Sequence, residues 1–174
     1  MKNNRPLTVA ILTISDRCSR GEAEDKSGPR LCEIALAKKW DVEEMEVVPD
    51  EKEEIQDALL AWCDKGTISL ILTTGGTGLS PRDVTPQATR EIVDKEIPGL
   101  AELMRSEGRK FNQFSVLSQA VVGVRKKTLI INLPGNPAGA EQALGIIMEM
   151  IPHALHIMAG GDHHHKEARH AHTA

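Results

Sequence analysis

Three uninterrupted apolar runs rich in β-branched residues constrain this chain more than any other feature. They are Thr8-Val9-Ala10-Ile11-Leu12-Thr13-Ile14-Ser15, Ser69-Leu70-Ile71-Leu72-Thr73-Thr74 and Thr128-Leu129-Ile130-Ile131-Asn132-Leu133. None shows the in–out alternation of a half-solvated strand, so each reads as a strand covered on both faces, as in a parallel sheet. Helical stripes separate them. Leu31, Ile34, Ala35 and Lys38 predict a helix from Gly28-Pro29 to Lys39, with Pro29 suited to its first turn. Ile55, Leu59, Trp62 and Cys63 predict another over Glu51 to Lys65, stopped by Gly66. Val42 to Val48 alternates like a strand near a sheet edge. Thr85 and Pro86 read as cap and first residue of a helix to about Glu96, and Ile97-Pro98-Gly99 breaks it before a short helix to Gly108. Val116 to Val124 is ambiguous. A last helix, Ala138 to Ile151, is apolar on most sides and must be buried in the core or against another subunit. Strands alternating with helices give an α/β domain with a parallel sheet.

Composition narrows the function. The 174 residues fit one domain, expected over residues 1–160, with a histidine-rich tail at 161–174 expected to be disordered or to bind a transition metal. A net charge of −4 and only 2% aromatics, with no tyrosine, argue against a nucleic-acid partner, which usually needs a basic face or stacking platforms. Cys18, Cys32 and Cys63 are scattered and odd in number, as in a reduced cytoplasmic protein. The run Val9 to Ile14 is too short for a signal-peptide core or a membrane span.

The richest stretch is Thr73-Thr74-Gly75-Gly76-Thr77-Gly78-Leu79-Ser80-Pro81-Arg82-Asp83. Glycines directly after a parallel strand let the backbone approach a ligand, and their N–H groups can surround a phosphate. The alternative is a tight strand-to-helix turn. No Gly-Lys-Ser/Thr follows, so this is not a Walker A loop, and Pro81 replaces the third glycine of the dinucleotide pattern. Arg82 could hold a phosphate in its planar fork, and Asp83 could carry Mg²⁺. Both could equally serve as an ion pair and a helix-start acid.

Thr-Thr-Gly-Gly-Thr-Gly-x-x-x-Arg-Asp-Val-Thr-Pro resembles the motif of the molybdopterin adenylyltransferases, the MogA-like family that also forms the G domain of gephyrin and of plant molybdenum-cofactor proteins. Ile14-Ser15-Asp16-Arg17, Asp25-Lys26-Ser27-Gly28, Val48-Pro49-Asp50 and Leu133-Pro134-Gly135-Asn136-Pro137 follow the family's order and spacing. The resemblance implies a three-layer α/β/α sandwich with a mostly parallel central sheet, a homotrimer, and transfer of AMP from ATP to the terminal phosphate of molybdopterin. It implies Asp50 and Asp83 as essential acids that could hold Mg²⁺. It further implies a nucleotide site at Ser15, Asp25, Ser27, Gly28, Thr74, Gly75, Gly76, Thr77, Gly78 and Arg82, and a pterin side at Ser118, Pro134, Gly135 and Asn136. A molybdenum-insertion protein would accept the product. Two positions depart from the pattern: Gln119 stands where the family often has Arg, with Arg125, Lys126 and Lys127 as candidate replacements, and Gln87 stands where an acid is common. Three other readings remain open: a MoaB-like paralogue, a molybdopterin carrier that transfers nothing, and a metal-delivery protein acting through its histidines.

Overall fold

In the computed structural model, which describes residues 7–161, the three apolar runs form neighbouring strands. The chain runs β1 (Thr8–Ile14), α1 (Asp16–Ser19), α2 (Ser27–Ala37), β2 (Asp41–Val48), α3 (Lys52–Lys65), β3 (Leu70–Thr74), α4 (Thr85–Ile92) and β4 (Lys95–Glu96). It continues through α5 (Pro98–Gly108), a 3₁₀ turn (Gln113–Leu117), β5 (Val122–Arg125), β6 (Thr128–Leu133), α6 (Pro137–Ile147), a second 3₁₀ turn (Met148–Met150) and α7 (Ile151–Met158). The six strands lie in the order β2-β1-β3-β6-β5-β4. β2, β1, β3 and β6 are mutually parallel, while β5 and β4 are antiparallel additions at one edge.

Alternate residues of the central strands feed two separate cores. Val9, Ile11, Leu70, Leu72, Leu129 and Ile131 pack under α2, α5, α6 and α7. Ala10, Leu12, Ile14, Ile71 and Ile130 pack under α3 and α4. This is a three-layer α/β/α sandwich. It explains why these strands carry no polar face, since neither side meets water.

Element ends differ from expectation where local chemistry competes. α2 stops at Ala37, and Lys39 adopts a left-handed φ of 60°. α3 does end on Gly66 in the left-handed conformation. α4 ends at Ile92 rather than Glu96, because Lys95–Glu96 pairs with β5. The last helix is split into α6 and α7. The buried residues Ala140, Ala143, Leu144 and Ile147 of α6 belong to the core shared with α2 and α5, so its apolarity is used inside the chain. Among the described residues no helix is long and apolar enough to cross a membrane. The histidine-rich tail lies outside the described residues except for Gly161.

Candidate active site

The four parallel strands end together. Ile14 pairs with Val48, Thr13 with Thr74, and Thr74 with Leu133, so the loops after β1, β2, β3 and β6 leave from one edge of the sheet. The order reverses between β1 and β3, since the chain proceeds from β1 to β2 on one side and then to β3 on the other. Ligands of open α/β sheets bind in the crevice at such a reversal.

The glycine loop follows from that crowding. Gly75 has φ +109°, and a Cβ there would lie 2.1 Å from the Ile14 carbonyl oxygen. Gly76 has φ +61°, and its Cβ would meet Thr85 Oγ1 at 2.4 Å and Asp50 Oδ1 at 3.1 Å. Only glycine fits either place. Thr85, expected to cap α4, instead donates its hydroxyl to the Gly75 carbonyl (2.9 Å), while its N–H donates to the Gly76 carbonyl (3.2 Å). Val84 is the N-cap and supplies no side-chain bond. The helix is therefore tied to the loop by Thr85 rather than capped by it.

Two carboxylates flank this loop. Asp50 follows β2, and its Oδ2 accepts the backbone N–H of Asp16 at 2.8 Å, while its own N–H donates to Asp16 Oδ1 at 3.1 Å. Burial pushes the Asp50 carboxyl above the usual Asp range, against the Asp16 N–H, which favours its charged form. Asp83 accepts the Ser80 N–H at 2.7 Å in its own turn and bonds no N–H of α4, so it does not cap that helix. Arg82 turns its fork to Asp16, with Nε and Nη2 donating at 2.8–3.1 Å, and its Nη1 lies 2.9 Å from Glu51 Oε1. The Arg82 hydrogen bonds hold the Asp16 carboxyl below its ordinary value. Phosphate contact by Arg82 would require release from these partners.

Two cavities open on this edge of the sheet. The first, of about 430 Å³, is lined by Ser15, Asp25, Ser27, Asp50, Thr74, Gly75, Gly76, Asp83 and Gly135 among others. The second, of about 590 Å³, is mostly apolar and takes Thr77, Gly78, Ser118, Pro134 and Asn136 from the expected site. The glycine loop is thus the wall between them, with Gly75 and Gly76 facing one and Thr77 and Gly78 the other. The Pro134-Gly135-Asn136 turn touches both: Pro134 accepts the Thr74 hydroxyl at 2.7 Å, and Asn136 caps α6. Asp25 is occupied structurally, accepting the N–H groups of Ser27 and Gly28 and the hydroxyl of Thr13. Gly28 lies against Asp25 and Thr13, and a Cβ there would fall within 2.6 Å of both.

Glu24, Asp25, Asp50 and Asp83 oppose Lys26 in the smaller cavity, a lining rich in acids. A polyphosphate would enter it only with a divalent cation, and two carboxylates plus phosphate oxygens suit Mg²⁺. Among the described residues no cluster of three or more acidic, His or Cys side chains could bind a metal alone.

Arg125, Lys126 and Lys127 do not replace a cation at position 119. They form the β5–β6 turn at the amino end of β6, where Arg125 donates to the Ile92 carbonyl and Lys126 pairs with Asp64 at 2.7 Å. The sequence reading also passed over Asn132 and Arg105, both of which line the larger cavity. Asn132 had a signal: it is the lone amide in an otherwise apolar strand.

Fold and site together define an open α/β sheet whose switch point carries two unlike cavities across a glycine loop. The chain belongs to the family described as "Probable molybdopterin binding domain", which matches residues 10–153. It is 38% identical over 154 residues to a molybdopterin adenylyltransferase of Helicobacter pylori strain J99, covering 87% of this chain and 88% of that protein. It is 40% identical over 153 residues to the molybdenum cofactor synthesis protein cinnamon of Drosophila melanogaster, of which it spans only 26%. The crystal structure of the molybdopterin biosynthesis enzyme MoaB from Thermus thermophilus superimposes with a TM-score of 0.84 at 47% identity, covering 88% of this chain and 97% of that one.

Proposed function

We propose that this chain acts in molybdenum cofactor biosynthesis by transferring AMP from ATP to the terminal phosphate of molybdopterin, with release of pyrophosphate. The observation that carries the reading is the pair of cavities across the glycine loop: a small acid-lined one suited to a metal-bound triphosphate and a larger apolar one suited to a heterocycle. The nucleotide is assigned to the first, with Ser15, Asp25, Ser27, Thr74, Gly75 and Gly76, and the pterin to the second, where Thr77 and Gly78 join Ser118, Pro134 and Asn136, so that the attacking phosphate oxygen and the α-phosphorus meet at the loop. The loop's backbone donors and the fixed placement of both reactants supply most of the rate, with no covalent intermediate on the protein. Asp50 and Asp83 would hold Mg²⁺, which when bound neutralises charge on the triphosphate and the leaving pyrophosphate. Asp16 and Arg82 keep Asp50 in place. We further assign the chain to the cytoplasm, in keeping with its three free thiols, and to a homotrimer on family likeness, with a molybdenum-insertion protein as recipient of the product. Residues 1–160 form the working domain in this reading, and the tail beyond them is dispensable.

Pyrophosphate release with saturating ATP and molybdopterin tests this directly. Asp83→Asn keeps side-chain volume and removes the charge, so release should fall roughly 10²–10³-fold while pterin binding persists. Asp50→Asn should show a related defect. Near-normal release from folded Asp83→Asn would sink the mechanism. The 47% identity to the MoaB structure favours a second reading, a MoaB-like paralogue or carrier that binds molybdopterin and transfers little AMP. It is recognised by tight pterin binding without pyrophosphate release in the unmodified protein.

A further inference from the structure

Among the described residues that line the larger cavity, Arg105 alone carries a formal charge. It lies on α5, is partly buried, and its Nη1 donates to the carbonyls of Ser118 (3.4 Å) and Ala120 (3.2 Å). Those carbonyls fix the guanidinium at the cavity wall without cancelling its charge. Arg30, Arg82 and Arg90 are each paired with a carboxylate, whereas among the described residues Arg105 enters no ion pair. Among the described residues its Nε and Nη2 find no hydrogen-bond partner, which leaves two donors of a planar fork for a ligand. Gln119 does not compete for this role, because its amide donates back to the Leu117 carbonyl at 3.1 Å and it does not line the larger cavity, bordering only an adjoining one of about 240 Å³ that Arg105 also borders. Lys110 pairs with Glu107, Arg109 does not line the larger cavity, and the basic cluster at 125–127 sits at the opposite end of the sheet.

A cavity that is apolar on most of its wall and holds one unpaired guanidinium suits a flat organic ring carrying one phosphate ester. The ring is desolvated against the apolar wall, and the phosphate takes the fork in a charge-assisted pair. We infer that Arg105 makes this cavity selective for a phosphate-bearing pterin over the same pterin without its phosphate, supplying the cation that Gln119 withholds. The inference rests on the assignment of molybdopterin to this cavity.

The test uses the air-oxidised, fluorescent form of molybdopterin that keeps the terminal phosphate, alongside the same pterin after phosphatase treatment. Both are titrated onto the full chain. The unmodified protein should bind the phosphorylated form about 10- to 100-fold more tightly, the range expected for one charged hydrogen-bonded pair. Arg105→Gln should abolish that preference and leave the dephosphorylated pterin bound as before. Arg105→Lys keeps the charge without the fork and should retain a reduced preference, and it decides the matter if the glutamine variant does not fold. Equal binding of the two pterins by the unmodified protein overturns the inference. So does an equal loss for both pterins in either variant, which is the result expected if Arg105 only props up the Ser118–Ala120 loop. Phosphate preference without pyrophosphate release would refute the adenylyl-transfer reading and leave Arg105's role standing. Release without an Arg105-dependent preference would do the reverse.

Discussion

Asp16 and Asp50 hold each other through their backbones, yet their carboxyls titrate in opposite directions. Arg82 depresses Asp16, whereas burial raises Asp50, and the Arg82 charge partly offsets that rise. Asp16 therefore favours the folded state above the unfolded-state pKa, and that contribution is lost as pH falls through its lowered folded value. Asp50 works with the opposite sign: its neutral form is favoured on folding, and that contribution is lost as pH rises through its raised folded value. If Asp50 must be charged to take up the metal-bound triphosphate, the acid limb of kcat/KM for pyrophosphate release, which reports the unliganded protein, should lie above the usual Asp range. Arg82→Gln should move both carboxyl resonances to higher titration midpoints by carbon-detected NMR and shift the acid limb upward with them. A limb that stays put, or moves down, would separate Asp50 from the pH dependence. That Asp50 and Asp83 would come to one cavity was legible in the sequence through their motifs. The engagement of Arg82 was not, because Asp16 lies 66 residues away in the chain and only the fold makes them neighbours.

At the scale of elements, the strands were legible because burial on both faces leaves an unmistakable apolar run. Helix ends were less so, since they depend on partners the local pattern does not contain. Thr85 looks like a cap, but the Gly75 carbonyl claims its hydroxyl; Lys95–Glu96 looks helical, but β5 claims its backbone. β6 carries a comparable tertiary commitment at Asn132. Its buried amide nitrogen donates to the hydroxyls of Thr73 (3.0 Å) and Thr89 (2.9 Å), and its oxygen accepts the Val121 N–H (3.1 Å). The side chain thus joins β3, β6, α4 and the segment leading into β5. Asn132→Ala leaves these buried groups without their partner and should cost roughly 2–3 kcal/mol by urea denaturation. A loss below about 0.5 kcal/mol would mean that water or a rearranged hydroxyl pair replaces the amide.

For the whole molecule, the strand order matters more than any single contact. Placing β1 between β2 and β3 opens the crevice, and aligning four strand ends brings residues from position 15 to position 136 to one rim. The α/β class and most of that rim were readable in advance, but the division of the rim into two chambers was not, since it arises from the path of four consecutive residues after β3. Because Gly75 to Gly78 forms a partition rather than a floor, in the proposed reaction neither reactant would need to vacate space for the other. Initial-rate plots varying ATP against molybdopterin should accordingly intersect, as they do when both substrates reside together before either product leaves. Parallel lines would contradict that. Each compound should also be admitted in either order, and a single molecule linking a nucleotide to a pterin should occupy both chambers at once and gain the affinity of two tethered ligands.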